Sequence, residues 1–192
     1  MANTIPINYK LKFEPLFDNF TFNGMEIITI NLPRATNLII LDAAELKIKK
    51  CYVEQGTKII TAKASLNKKN ERLTVKLTKK IKGKAKLCIK FTGVLNDRLL
   101  GFYKSQYKDN RGKTKYLATT QFEAADARRA FPCWDEPAVK ATFDVSLLVD
   151  RHHDAISNMS VISKKNVGSK ILYKFGRTPI MSTYLLYLGV GE

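Results

Sequence analysis

The sequence predicts an all-β domain, a mostly antiparallel saddle or sandwich in two layers. Three observations carry that expectation. Apolar and polar residues alternate with period two, or gather in short β-branched runs, along most of the chain. The runs recur about every ten residues and are bounded by Asn, Gly, Asp or Pro, which is the spacing of a sandwich or barrel. Nowhere do apolar residues sustain the i, i+3, i+4, i+7 pattern of an amphipathic helix.

Taken in order, Tyr9–Phe13 alternates strictly as Y-K-L-K-F. Thr21–Leu32 is a longer β-branched run that Pro33 closes, and Asn37–Asp42 follows. Leu46–Glu54, Lys58–Lys63, Arg72–Lys76 and Ala85–Phe91 place lysines between apolar residues, the pattern of a half-buried strand. Tyr107–Thr114 carries Asn-Arg-Gly and reads as an exposed hairpin tip before a strand at Tyr116–Gln121. The best helical candidate, Ala124–Ala130, is short and Pro132 stops it. Strands are expected again at Thr142–Val149, Ala155–Met159, Ile171–Phe175 and Ser182–Leu188. The last contains Tyr184-Leu-Leu-Tyr187, a run without alternation that suits a strand covered on both faces by a partner, so in this chain an exposed, partly apolar interface is expected there. There is no internal repeat and no low-complexity linker, so residues 1–192 are read as one domain.

With 45% hydrophobic residues the chain has the material for a packed core. No apolar run reaches the roughly 18 residues of a membrane helix, and Met-Ala-Asn-Thr-Ile-Pro lacks the pattern of a secretory signal. Cys51, Cys88 and Cys133 are odd in number and widely spaced, so free thiols in a reducing cytoplasm are expected. The net charge of +16 is concentrated between Leu46 and Lys90, where fourteen lysines and one arginine face only Glu54 and Glu71. A stripe of this kind can bind nucleic acid or an acidic partner. Its alternation with apolar residues, and the scarcity of aromatics within it, favour a solvated sheet face instead.

Chemistry concentrates between Thr119 and Val145. Glu123, Asp126, Arg128, Arg129, Asp135 and Glu136 are interleaved there with Phe122, Phe131 and Trp134. Charges among so many apolar groups must be paired or must hold something. Gln121 and Glu123 stand two apart, so on a strand they share a face. A carboxylate beside an amide suits an α-ammonium group, while the bland alternative pairs Glu123 with Arg128 or Arg129. Asp126, Arg128, Arg129, Asp135 and Glu136 read as an ion-pair frame, since an arginine fork binds carboxylates bidentately. Adjacent carboxylates at 135 and 136 cannot oppose each other as a glycosidase pair does. His152 and His153 are the only histidines; adjacent residues on a strand point to opposite faces, and the pair follows Val149-Asp150 at a turn, so both are expected to be exposed turn residues that hold no metal. Cys133, between Pro132 and Trp134, is expected to be a buried small residue. No H-E-x-x-H, P-loop or G-x-G-x-x-G motif occurs.

The block T-T-Q-F-E-A-A-D-A-R-R-A-F-P-C-W-D-E-P-A-V-K-A-T-F from Thr119 to Phe143 resembles the block that ends the N-terminal domain of zinc aminopeptidases of the aminopeptidase-N family. Tyr9–Phe13 with Phe22-Asn-Gly24, Gly101-Phe-Tyr103, Ala155-Ile-Ser-Asn-Met159 and Thr178-Pro-Ile-Met-Ser-Thr-Tyr-Leu-Leu186 are similar to further family motifs, in the same order. Asp154–Met159 and Tyr184–Gly189 look closest to the archaeal, tricorn-associated branch. The resemblance implies a saddle-shaped β-domain that caps the cleft of a peptidase removing residues from peptide N-termini. It implies that Gln121 lines the first specificity pocket and that Glu123 helps to hold the free amino terminus. The zinc ligands and the general base would lie in a catalytic domain beyond this chain, supplied in cis or in trans, so the chain alone is expected to be inactive. A basic β-domain binding nucleic acid or an acidic protein, and a non-catalytic scaffold, stay open beside this reading.

Overall fold

A computed structural model describes residues 4–192. Twelve strands form two sheets, and apart from two three-residue 3-10 turns there is no helix among the described residues. The eight-stranded sheet contains β1 (Ile5–Leu16), β2 (Thr21–Asp42), β3 (Lys47–Gln55), β4 (Lys58–Asn67), β5 (Arg72–Val94), β8 (Thr142–Asp150), β10 (Val161–Val167) and β11 (Lys170–Phe175). Its order is β10-β11-β8-β1-β2-β5-β3-β4. The four-stranded sheet contains β6 (Gly101–Lys108), β7 (Thr114–Gln121), β9 (Asp154–Ser157) and β12 (Leu188–Gly191), in the order β6-β7-β12-β9. Every pairing is antiparallel except β1 with β8. The expected all-β, mostly antiparallel fold is what the chain forms.

The sheets meet across an aromatic core. Phe13 of β1 lies 5.8 Å from Phe102 of β6 and 6.3 Å from Phe131, which follows the first 3-10 turn. Tyr9 stacks on Phe143 of β8 at 5.0 Å. Edge-to-face and offset contacts at these distances each add about 0.5–1.5 kcal/mol beyond area burial, so the rings hold one sheet on the other. The lysines of β5 occupy exposed positions between buried apolar residues, and those of β3 are exposed beside the half-buried Ile48 and Cys51.

Two glycines let the core close. Phe22 pairs with Gly93 and Gly24 pairs with Phe91 across β2 and β5. A Cβ on Gly24 would lie 2.1 Å from the Phe91 ring, and one on Gly93 would lie 2.3 Å from the Phe22 ring. Each ring therefore lies over the glycine opposite it.

Several boundaries differ from expectation. Thr21–Leu32 and Asn37–Asp42 are one continuous β2, because register shifts near Thr36 absorb Pro33 without ending the strand. Arg72–Lys76 and Ala85–Phe91 likewise join into β5. The strands β6 and β10 were not anticipated, and the helical candidate Ala124–Ala130 shrinks to a 3-10 turn at Ala127–Arg129. The expected strand Ser182–Leu188 is instead a 3-10 turn at Thr183–Leu185, with β12 beginning at Leu188. Leu185 and Tyr187 are exposed, in keeping with the expected uncovered apolar surface, although the segment is not a strand. No helix is long and apolar enough to cross a membrane.

Candidate functional site

Strand β7 ends at Gln121, and the next two residues define the site. Phe122 is buried and meets Phe131 edge-on at 6.1 Å. With that ring fixed inside, Gln121 and Glu123 on either side of it are exposed. The Gln121 amide oxygen accepts the Glu123 backbone N–H at 3.1 Å. That leaves the amide N–H groups and a second oxygen lone pair available. The Glu123–Ala124 peptide bond is cis. Among the described residues the Glu123 carboxylate has no ion-pair partner, because both candidate arginines are engaged elsewhere.

Those arginines build the frame beneath the site. Arg128 Nε donates to Asp135 Oδ2 at 3.1 Å, and the Arg128 backbone N–H donates to the same oxygen at 3.2 Å. Its Nη1 reaches Glu71 at 3.4 Å and Asp42 at 3.6 Å. Arg129 donates to Asp126 at 2.8 Å, Glu45 at 2.7 Å and Glu71 at 3.0 Å. Burial works against the Arg128 charge, but Asp135 and Asp42 outweigh it and hold its pKa above the ordinary value. Asp135 is buried, and its second oxygen accepts the Thr183 hydroxyl at 2.8 Å. Asp42 Oδ2 accepts the Asp135 backbone N–H at 2.9 Å, and Arg72 sits 2.9 Å from Asp42 Oδ1. The frame thus ties the end of β2, the start of β5 and the second 3-10 turn to the segment that carries Glu123.

Of the five residues expected in this frame, the structure brings together Asp126, Arg128, Arg129 and Asp135. Glu136 does not join them. It is exposed and makes no ion pair among the described residues, because Asp135 turns inward and leaves its neighbour facing outward. Asp42, Glu45, Glu71 and Arg72 were missed, since they lie tens of residues away in sequence. Glu71 did carry a signal, as one of two acids in a stretch otherwise rich in lysine. Cys133 is fully buried, and burial raises its pKa well above the thiol norm.

The outer face of the small sheet continues from Gln121. Thr119, two residues back on the same face of β7, donates its hydroxyl to the Tyr187 hydroxyl at 3.0 Å. Gly189 pairs with Thr119 on one side and Ile156 on the other. Around it Ile156, Leu185 and Tyr187 are exposed. Asn158 fixes this edge, donating to the Leu185 carbonyl at 2.7 Å and accepting the Tyr187 N–H at 2.8 Å. A separate groove of about 600 Å3, lined by Leu46, Leu66, Glu71 and Arg129 among others, does not include Gln121 or Glu123.

His152 is an exposed turn residue, as expected, but His153 is buried, and the two rings do not diverge: their centroids lie 4.0 Å apart. The H-E-x-x-H spacing of a catalytic zinc is absent from the chain, so its residues do not fit that role.

Residues 5–185 match the Peptidase M1 N-terminal domain. Over essentially the whole chain the sequence is 42% identical to Aminopeptidase 2 of Candida albicans, covering 21% of that protein. It is 41% identical to the puromycin-sensitive aminopeptidase of Caenorhabditis elegans and 39% identical to Aminopeptidase M1 of Arabidopsis thaliana, in each case over 97% of the chain. The chain spans about a fifth of the length of these relatives, 20–22%. They are eukaryotic, and nothing among them supports the archaeal, tricorn-associated branch. The match over nearly every residue, together with the two-sheet fold, means that the chain belongs to the Peptidase M1 N-terminal domain family.

Proposed function

We propose that this chain is the substrate-anchoring domain of an aminopeptidase that removes residues from the free N-termini of peptides. Glu123 pairs with the α-ammonium group of the peptide, and Gln121 lines the space for its first side chain. The observation that carries this reading is the state of the Glu123 carboxylate. It is exposed and unpaired, while five nearby carboxylates are drawn into the two arginines beneath it. A carboxylate so placed can form a charge-assisted hydrogen bond to a cation supplied from outside. A blocked N-terminus would leave it without that bond, which favours exopeptidase selectivity.

The remaining parts of the cleft come from the rest of such a protein, which in the relatives accounts for most of the length. Zinc-assisted attack of water on the peptide bond belongs there. The apolar patch of Ile156, Leu185 and Tyr187, adjoining Thr119 and Gln121, is the surface that meets it. Exchanging the matching fifth of the Candida albicans relative for this chain tests the reading. The hybrid should hydrolyse aminoacyl amides with a free amine, and the chain alone should not. A hybrid that folds and assembles but turns over no such substrate would overturn it.

A further inference from the structure

The turn after β8 brings three metal-ligating side chains together at the far end of the small sheet. His152, His153 and Glu192 each direct one ligand atom into a cluster in which all three lie within 4.8 Å of one another. We propose that these residues bind a divalent transition-metal ion, with zinc the best match, and that the ion clips the β8–β9 turn to the chain just beyond β12.

Four observations support the assignment. Two imidazoles and a carboxylate are a donor set that zinc accepts in tetrahedral sites with an open fourth position. In such a site, bonds of about 2.0–2.1 Å put neighbouring donor atoms roughly 3.3 Å apart. Small side-chain rotations close the difference from 4.8 Å.

His153 is only 6% exposed, and its Nδ1 is buried without a hydrogen-bond partner. Buried ring nitrogens are ordinarily satisfied, so an orphan nitrogen beside two further ligands is best explained by a partner supplied from solution. The ring is also held in place. Phe17 packs against it at 4.5 Å, and the His153 backbone N–H donates to the Asp150 carbonyl at 2.9 Å.

Glu192 is positioned as well. Lys115 contacts its Oε2, and the Tyr107 hydroxyl donates to its carbonyl at 3.1 Å. The other carboxylate oxygen is left for the ion. Among the described residues Lys115 is the one cation in a salt bridge with the cluster. His152 and Glu192 are exposed, which opens the fourth position to water. The site draws its ligands from the segment joining the two sheets and from the end of the last strand, so an ion there would restrain both.

The test is calorimetric titration of the chain, stripped with chelator, with zinc chloride. Visible absorption with cobalt chloride then reports the donor types. One equivalent should bind, and the cobalt form should show a tetrahedral spectrum without a thiolate charge-transfer band. His152→Ala and Glu192→Gln alter exposed side chains, so both variants should fold. Each should weaken zinc binding at least tenfold. Absence of saturable binding would overturn the assignment, as would binding unchanged in either variant or a thiolate band pointing to the cysteines.

Discussion

At the scale of single residues, neighbouring charges in this chain have opposite tasks. Asp135 is buried and receives three donors, from Arg128 twice and from Thr183. Removing it leaves Arg128 Nε, the Arg128 backbone N–H and the Thr183 hydroxyl without their acceptor, while Arg128 Nη1 keeps only its longer contacts to Glu71 and Asp42. Asp135→Ala should therefore lower unfolding stability by about 3–5 kcal/mol, the range for breaking a buried pair from one side. Urea denaturation would measure this. Glu136→Ala, one residue on, should change stability by less than about 0.5 kcal/mol, as exposed substitutions do. The sequence placed both acids in the frame, because adjacency says nothing about which of two carboxylates turns inward.

Glu26 makes a second residue-scale case. It is completely buried in β2, and neither carboxylate oxygen has a partner. Burial raises its pKa well above 4.5. Below about pH 4.5 the carboxyl is neutral in both folded and unfolded chains. Above that the unfolded chain ionises while the folded one stays protonated, so stability falls as pH rises. Glu26→Met should remove this dependence. The variant should be more stable than the parent at pH 7 by on the order of 1–3 kcal/mol, the cost of an unsatisfied buried polar group. The gain should shrink as pH falls toward 4.5. Chemical denaturation across that range would measure it, and a gain that grew on acidification would contradict the account.

At the scale of elements, alternation made most strands legible and chain breakers misled. Y-K-L-K-F and T-F-D-V-S-L-L-V announce β1 and β8 because one face of each is buried. Pro33 read as a stop, yet β2 carries it through a register shift. Strand β10 was missed because all its residues are exposed on a sheet edge, so no burial pattern marks it. The Tyr184–Tyr187 run was legible as an exposed apolar patch but not as a 3-10 turn, because apolar content alone does not fix the backbone conformation. The paired glycines give a sharper forecast. Gly24→Ala would push a Cβ into the Phe91 ring, and overpacking of this kind costs about 1–3 kcal/mol. Phe91→Leu in the same chain should recover part of that loss. A double-mutant cycle by urea denaturation would show non-additivity, since the two residues touch.

At the scale of the whole molecule, the domain presents an unfinished site. Gln121 and Glu123 stand at the rim of the small sheet, and the apolar patch of Ile156, Leu185 and Tyr187 lies on the same outer face. The motifs singled out Gln121 and Glu123, and the structure leaves both exposed. The frame beneath them was half legible, because Asp42 at the end of β2 and Glu45 and Glu71 in the connections before β3 and β5 are remote in sequence. If the patch docks on the rest of an aminopeptidase, Leu185→Glu should weaken assembly with the remaining part of the Candida albicans relative by at least tenfold. The urea midpoint of the domain should stay unchanged. Titration of one purified part with the other would measure this.

The central claim is that Glu123 anchors the amino terminus while the frame below it holds the fold. Its most direct test is kcat/KM of the hybrid enzyme for a free-amine aminoacyl amide, with and without Glu123→Ala. A charge-assisted bond to the ammonium is worth about 1.5–3 kcal/mol, so kcat/KM should fall roughly tenfold to a hundredfold. Glu54→Ala, outside the frame, should leave it within about twofold. An unchanged kcat/KM in a folded Glu123→Ala hybrid would contradict the account.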